Sequence, residues 1–414
     1  MPIDHHALRI ETIALETRPI NIIMFGLSLM TFRPLIRLMM ITALTAMVAG
    51  PALAADTQRY AITEYPLPAN SSNTSAMSID GRNGDVWLIQ DSPPVLYRLS
   101  RENSTFASYT IKGFDGAGFT GLSIDDGGTV WFADMKGNRV GGYEPGTNHT
   151  TTFEFPGPMA PSSVIRKGDT IWIGCKEEIG EQDLGSGKFY DHFVYKMDSY
   201  LYDIHIDRVN NVWFVENRVN KVGAYYRMYD KTIEFVIPTN NSYPTCLDID
   251  SKSRLWFVES GPNKLGMFDM EQFNFTEYNM TAIDGKVPVL SHVAAVNDTV
   301  WLTDAKNDRV LEFYPQEGQV AAAKLGNGTT PTLIKAGVNG TLWTYEAGSK
   351  KLAQIRIRPE FGDVTPTIKL TPAAFTTKAF PSPSASAGIP GEALILTLAA
   401  FLYAIWIEQG KNKR

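Results

Sequence analysis

Cysteine is scarce: two residues, Cys175 and Cys246, in a chain of 414. That is too few for a disulfide framework, so stability has to come from packing. Clustered positive charge is missing too, since the net charge is −6 and the only basic run is the last four residues. Nucleic acid is thereby set aside as a partner, because neutralising phosphates needs Lys and Arg gathered on one face. Helical periodicity is absent between residues 60 and 358, nucleophile elbows and nucleotide loops do not occur, and no His cluster has metal-ligand spacing. With 44% apolar and 20% charged residues the composition is that of an ordinary globular protein.

Long apolar runs occur only near the two ends. Arg33 and Arg37, the apolar "LMMITALTAMVAG" and the small-residue "ALA" at 52 to 54 read as a secretory signal, with maturation near Ala55. Residues 1 to 29 make that signal over-long, so Met24 and Met30 are alternative starts, and a retained signal anchor is the competing reading. At the other end, 359 to 392 reads as a Pro/Ser/Thr/Ala stalk. An apolar segment at 393 to 407 and a basic tail at 408 to 414 follow. The favoured reading is a transmembrane anchor with the tail inside. The alternative is a sorting signal exchanged for a lipid.

Asn70, Asn73, Asn103, Asn148, Asn240, Asn274, Asn279, Asn297, Asn327 and Asn339 all stand in N-x-S/T between the signal and the stalk, as glycosylation of an exported domain requires. The expected location is the cell surface, with the membrane and an extracellular ligand or envelope protein as partners.

What dominates the sequence is a repeat. Trp87, Trp131, Trp172, Trp213, Trp256, Trp301 and Trp343 are spaced 41 to 45 residues apart, each in a β-rich pentad such as "NVWFV" or "RLWFV". One period, 244 to 280, divides at turn signals into four short strands: "TCLDID", "RLWFVE", "KLGMFDM" and "FNFTEYNM". Four strands, here a to d, in about 40 to 45 residues is the pattern of a propeller blade, so the expected fold is all-β with seven four-stranded blades over 58 to 358. Blade seven runs out after strand c. The segment "ITEYPLP", 62 to 68, has the form of a d strand and stands before blade one, so it is expected to complete blade seven and close the ring.

The recurring unit, clearest in "NVWFVENRVNKVGAYYRMYDKTIEFVIPT" and "RLWFVESGPNKLGMFDMEQFNFTEYNM", resembles the streptogramin (virginiamycin B) lyase family of seven-bladed propellers. That resemblance implies a Mg²⁺-assisted elimination opening the ester of a cyclic depsipeptide. Its histidines would stand at the start of strand a and its carboxylates at the end of strand b, at one end of the ring. An imidazole would remove a carbon-bound proton while the metal polarises a carbonyl.

At the first position this chain reads Ser75, Thr120, Ser162, Tyr202, Thr245, His292 and Thr332, taking the turn between strands a and b of blade six as two residues shorter than in blade five. At the second it reads Gln90, Asp134, Cys175, Glu216, Glu259, Asp304 and Glu346. His292 with Asp304 is the catalytic candidate. Asp134, Tyr202, Glu216, Tyr243, Glu259 and Glu346 are candidate rim-binding residues. Glu259, Asp304 and Glu346 are candidate ligands for a hard cation, Mg²⁺ or Ca²⁺. The competing reading gives each carboxylate to the base opening strand c: Arg139, Lys221, Lys264, Arg309 or Lys351.

His205 reads as core or channel lining, and His149 and His192 fall in outer strands. Both cysteines are expected to be free and buried, since inner strands two blades apart stand farther from each other than a disulfide reaches. Two functions follow: a surface-anchored module that binds a ligand or protein, or a divergent metal-dependent lyase or ester-opening hydrolase. The first is preferred, because the family's histidines are mostly missing.

Overall fold

The computed structural model describes residues 59–155, 157–195, 198–280, 283–358 and 368–375. The signal, the start-codon alternatives and the membrane segment lie outside them.

Seven antiparallel sheets follow one another in chain order. Their inner strands, a, are Thr74–Ile79, Phe119–Ile124, Ser163–Lys167, Leu201–Ile206, Pro244–Ile249, Leu290–Val296 and Pro331–Ala336, and each neighbours strand a of the next blade around a central channel. Strand b carries the tryptophan, buried in all seven blades and packed between neighbouring sheets. Burying such a ring is worth roughly 1.5–3 kcal/mol, which is why one aromatic per period can set the repeat.

The rest of the repeat also has physical reasons. Asp125, Asp207 and Asp250, which follow strand a, accept the indole N–H of Trp131, Trp213 and Trp256 at 2.9, 3.0 and 2.8 Å. The Asn before strand c (Asn138, Asn220 and Asn263) takes a left-handed conformation. Asn138 Oδ1, Asn220 Oδ1 and Asn263 Oδ1 accept the backbone N–H of Ala160, Ser242 and Leu290, tying each blade to the connection that leads into the next. The glycine two residues into strand c cannot be replaced at Gly223 or Gly266, where a Cβ would lie 2.2 Å from the ring of Phe214 or Phe257.

Ring closure is as expected. Tyr60–Pro66 pairs antiparallel with Lys351–Ile357, from Tyr60 opposite Ile357 to Pro66 opposite Lys351. Tyr60 stands edge-on to Trp301 of blade six and donates its hydroxyl to Glu312 at 2.7 Å. The N-terminal strand thus binds both the last blade and the one before it.

Part of the segment read as a stalk behaves differently. Ile368–Lys369 pairs with Gln319–Lys324, the outer strand of blade six, and Pro372–Phe375 pairs with Asn274–Asn279, the outer strand of blade five. Leu370 between them is buried among Tyr278, Phe313 and Val320. An outer strand offers a free row of backbone N–H and C=O groups, and a short alternating segment that passes by can pair with it. Among the described residues no helix is long and apolar enough to cross a membrane. Cys175 and Cys246 are free and buried, as expected, and burial pushes both thiols up, Cys246 to about 12.

Candidate functional site

Pairing with strand b fixes which residues are equivalent. Leu201 faces Glu216, Pro244 faces Glu259, Leu290 faces Asp304 and Pro331 faces Glu346. The next residue forms a bulge at the channel mouth. In blade six it is Ser291, not His292, and the turn after the strand is one residue shorter than in blade five rather than two. Asp248 faces Trp256, eight positions on, whereas Ala294 faces Trp301, seven on.

This position therefore carries a hydroxyl in every blade, with the bulge itself present in all but blade three: Ser75, Thr120, Ser162, Tyr202, Thr245, Ser291 and Thr332. Four of these reach forward to the next blade. Thr120 donates to Pro161 O at 3.1 Å, Ser162 to Leu201 O, Thr245 to Ser291 O at 3.4 Å and Ser291 to Thr332 O at 3.1 Å. Ser75 donates within its own blade to Asp91 Oδ1, which also accepts Phe119 N–H of blade two. Most of the positions where the resemblance places histidines thus join blade to blade here.

The carboxylates expected on the rim are not on it. Asp134, Glu216, Glu259, Asp304 and Glu346 are all fully buried, because the last residue of strand b turns into the protein and not toward solvent. Asp134 accepts Arg139 at 2.9 Å together with the backbone N–H of Gly118 and Gly137. Asp304 accepts Arg309 at 2.7 Å, Val289 N–H and the Asn307 amide. Asp304 is thus committed to structure and joined by no hydrogen bond to His292, so the pair expected to be catalytic is not assembled.

The three glutamates differ again. Lys221, Lys264 and Lys351 stand opposite Glu216, Glu259 and Glu346 in register but bond instead to Glu234, Glu277 and Glu64 on strand d. Glu216 and Glu259 keep both oxygens unpartnered, and Glu346 keeps one. Burial, and then the second carboxylate nearby, raises Glu259 to about 8 and Glu216 similarly; burial raises Glu346. The salt-bridge reading therefore holds for the two arginines and fails for the three lysines.

None of these carboxylates fits a Mg²⁺ or Ca²⁺ site. A hard cation needs several ionised oxygens converging on one point, whereas here each stands in its own blade, Asp134 and Asp304 bonded to an arginine and the three glutamates held back from ionising by burial. No group of three His, Cys, Asp or Glu able to hold a metal occurs among the described residues.

Tyr202 and Tyr243 do lie at the surface, 51% and 46% exposed, where the channel opens on blades four and five. Tyr200 stands beside them, missed in the sequence because the residue before strand a looks like any turn. Tyr200 and Tyr243 both have positive φ, 57° and 47°, as do Ala160 and Thr330 at the same place in blades three and seven, so this conformation belongs to the repeat. Tyr200 donates to Met135 Sδ at 2.8 Å, and the Arg218 guanidinium lies 5.0 Å from its ring centre.

Below this mouth the channel encloses a cavity of about 930 Å³. Its wall on blades one to three is neutral, built of Ser78, Ser123, Ser163 and small or apolar neighbours; on blades four to seven it carries Asp203, His205, Asp248, His292 and Lys335. Of these only the histidines stood out in the sequence, His205 as expected for channel lining. The others occupy inward positions of strand a at the spacing of two that a strand requires. His205 Nε2 meets Asp248 Oδ1 at 3.2 Å. Burial opposes charge on both, but their mutual bond prevails, raising His205 and lowering Asp248. Burial, with Lys335 next, pushes His292 down to about 3, leaving a neutral imidazole.

With this geometry in place, the relatives become informative. The description of the virginiamycin B lyase family matches residues 44–286, more than half of the chain. The chain belongs to this family. Its fold is similar to that of a streptogramin B lyase, with 21% identity over 72% of this chain and 98% of that one at a TM-score of 0.65. A catalytically inactive histidine-to-alanine variant of virginiamycin B lyase from Staphylococcus aureus, solved with quinupristin, aligns at 21% identity over 72% and 100% of the two chains with a TM-score of 0.64. The WD40 propeller domain of Doa1 aligns at 11% identity over 72% and 96%, with a TM-score of 0.56. At such identities these structures establish a shared fold alone. No curated protein matches in sequence.

Proposed function

We propose that this streptogramin-lyase-like propeller is an exported, surface-anchored module that binds a ligand or an envelope protein at the channel mouth on blades four and five. The observation that carries this reading is the ring of seven hydroxyls. Where the family resemblance implies histidines, most side chains of this chain join blade to blade, while Tyr202 and Tyr243 stand exposed at one sector of the same opening. Flat, rigid aromatic rings supply contact area at small entropic cost, as binding surfaces require. Export and anchoring are supported by the sequence signals at the two ends. Nine of the ten sequon asparagines are exposed and Asn274 is partly so, which suits glycans.

The second reading, a metal-dependent lyase or ester-opening hydrolase, is favoured by family membership, but the buried carboxylates do not fit its metal. One experiment separates the two. The full chain is used to capture partners from cell-envelope extracts alongside Tyr202→Ala/Tyr243→Ala, and is assayed for opening of a cyclic depsipeptide ester with Mg²⁺. Capture should fall at least fivefold in the double variant with no turnover in either protein. Mg²⁺-dependent turnover abolished by His292→Ala would establish the lyase instead.

A further inference from the structure

The charged side of the channel has one cation that makes no direct bond. Asp248 accepts from His205 and from the backbone N–H of Ile249 and Ala295, both at 2.8 Å, so its oxygens are committed. Asp203 accepts the backbone N–H of Ile204 at 3.0 Å and of Leu247 at 3.3 Å. The Lys335 ammonium faces the same cavity and, among the described residues, takes part in no hydrogen bond or ion pair. Next to it in the ring, on blade six, the imidazole of His292 keeps Nδ1 without a partner. Asp203 and Asp248 feel the charge of Lys335 without bonding to it, so the ammonium keeps its donors available to an acceptor in the cavity. An ammonium facing a confined polar cavity gains most from a charge-assisted bond to an anion.

The identity of the anion follows from the remaining charges. Two aspartates share the wall, with His205 offsetting one and Lys335 the other, so the wall is neutral overall and a singly charged anion bonded to Lys335 meets less repulsion than a doubly charged phosphate. A cavity of about 930 Å³ is far larger than a simple ion, and lies at the upper end of ordinary organic-ligand pockets, roughly 300–1,000 Å³. The open end is flanked by Tyr200 and Tyr202, which suits the body of an organic molecule whose anionic end lies deeper.

We infer that the central channel binds an organic carboxylate, with Lys335 as its counter-ion and the tyrosine mouth around the rest of the ligand. This deepens the binding reading by naming the ligand chemistry. The carboxylate can belong to a free small acid or to the C-terminal end of a peptide, and the test distinguishes the two.

The full chain is titrated calorimetrically with propionate, with N-acetyl-alanyl-alanine and with the C-terminal amide of the same dipeptide. The dipeptide acid is expected to bind at least tenfold more tightly than its amide. Lys335→Met should abolish that preference and Lys335→Arg restore it, with thermal midpoints of both variants confirming that they fold. Propionate binding as tightly as the dipeptide acid would identify a small acid as the ligand; tenfold tighter dipeptide binding would identify a chain end. Equal affinity for acid and amide, an unchanged preference in Lys335→Met, or no binding of any probe overturns the assignment. Loss of the channel site with capture through Tyr202 and Tyr243 intact would leave the broader binding reading standing.

Discussion

Blades two and six meet the same problem as blades four, five and seven and solve it differently. All five end strand b in a fully buried carboxylate. In the first pair it is an aspartate beside an arginine, with a neutral residue at the matching place on strand d, Thr152 or Ala322. In the other three it is a glutamate beside a lysine, with a second glutamate, Glu234, Glu277 or Glu64, at that place. An aspartate and an arginine are neutral together. Two glutamates and one lysine are neutral only if one glutamate holds a proton, and the member at the end of strand b, which bonds to no cation, is the one whose acidity is suppressed. The recurring carboxylate thus belongs to the frame that holds the blades.

Blade seven offers the most drastic way to break this comparison, because its charge set is drawn from both ends of the propeller: Glu346 and Lys351 from the last blade, Glu64 from the strand before the first. Deleting residues 60–66 removes Glu64, a whole row of ladder bonds, and the seat of Tyr60 against Trp301. The ring then has an open edge and an unpaired lysine. The expected outcome is loss of a cooperative thermal transition, read by calorimetry, since a loss of this size exceeds the roughly 5–15 kcal/mol that keeps a domain folded.

A smaller intervention separates the two solutions directly. Arg309 is 2% exposed and holds Asp304 through Nε, with further bonds to Ile283 O and Asp284. Arg309→Met strands a buried carboxylate and should cost about 3–5 kcal/mol, the usual penalty for removing one partner of a buried pair. Urea unfolding at pH 7 measures it. A cost below 1 kcal/mol would mean that the pair contributes little to the frame.

The same contrast explains what could be read without the structure. Seven evenly spaced tryptophans and a three-stranded last blade specify the propeller and its closure, because each is a large, periodic, packing-driven signal. The carboxylates were equally periodic, yet their direction was not legible: a residue at a strand end turns outward or inward according to backbone detail that spacing does not carry. The sequence spacing brings His292 to the equivalent position only if the turn after strand a in blade six is two residues shorter than in blade five; it is one residue shorter, so Ser291 holds that position. Lys335, Asp203 and Asp248 gave no signal, since a polar residue at every second position of a strand is ordinary. They matter only through the enclosure that seven blades create around them.

Glu259→Gln is the gentlest of these changes and tests the proton itself. Glu259 makes no hydrogen bond, so the amide removes ionisation without removing a contact. Its folded value near 8 lies above the ordinary 4.5, so the native protein binds a proton that the unfolded chain releases. Below pH 4.5 both states are protonated and wild type bears no penalty; as pH rises from 4.5 through 8, wild-type stability falls, then levels once the folded form also ionises. Glutamine has no such slope. The variant should match wild type at pH 4 and exceed it at pH 8 by about 1–3 kcal/mol, the range for a buried polar group freed of an uncompensated charge. Thermal midpoints at the two pH values measure the difference. The equivalent Asp134→Asn change in blade two should instead destabilise at pH 8, because Arg139 would lose its partner, and opposite signs at these matched positions would confirm that the repeat uses two distinct charge solutions. If both variants lose stability at pH 8, Glu259 is an ion after all, and the proton attributed to the glutamate blades is absent.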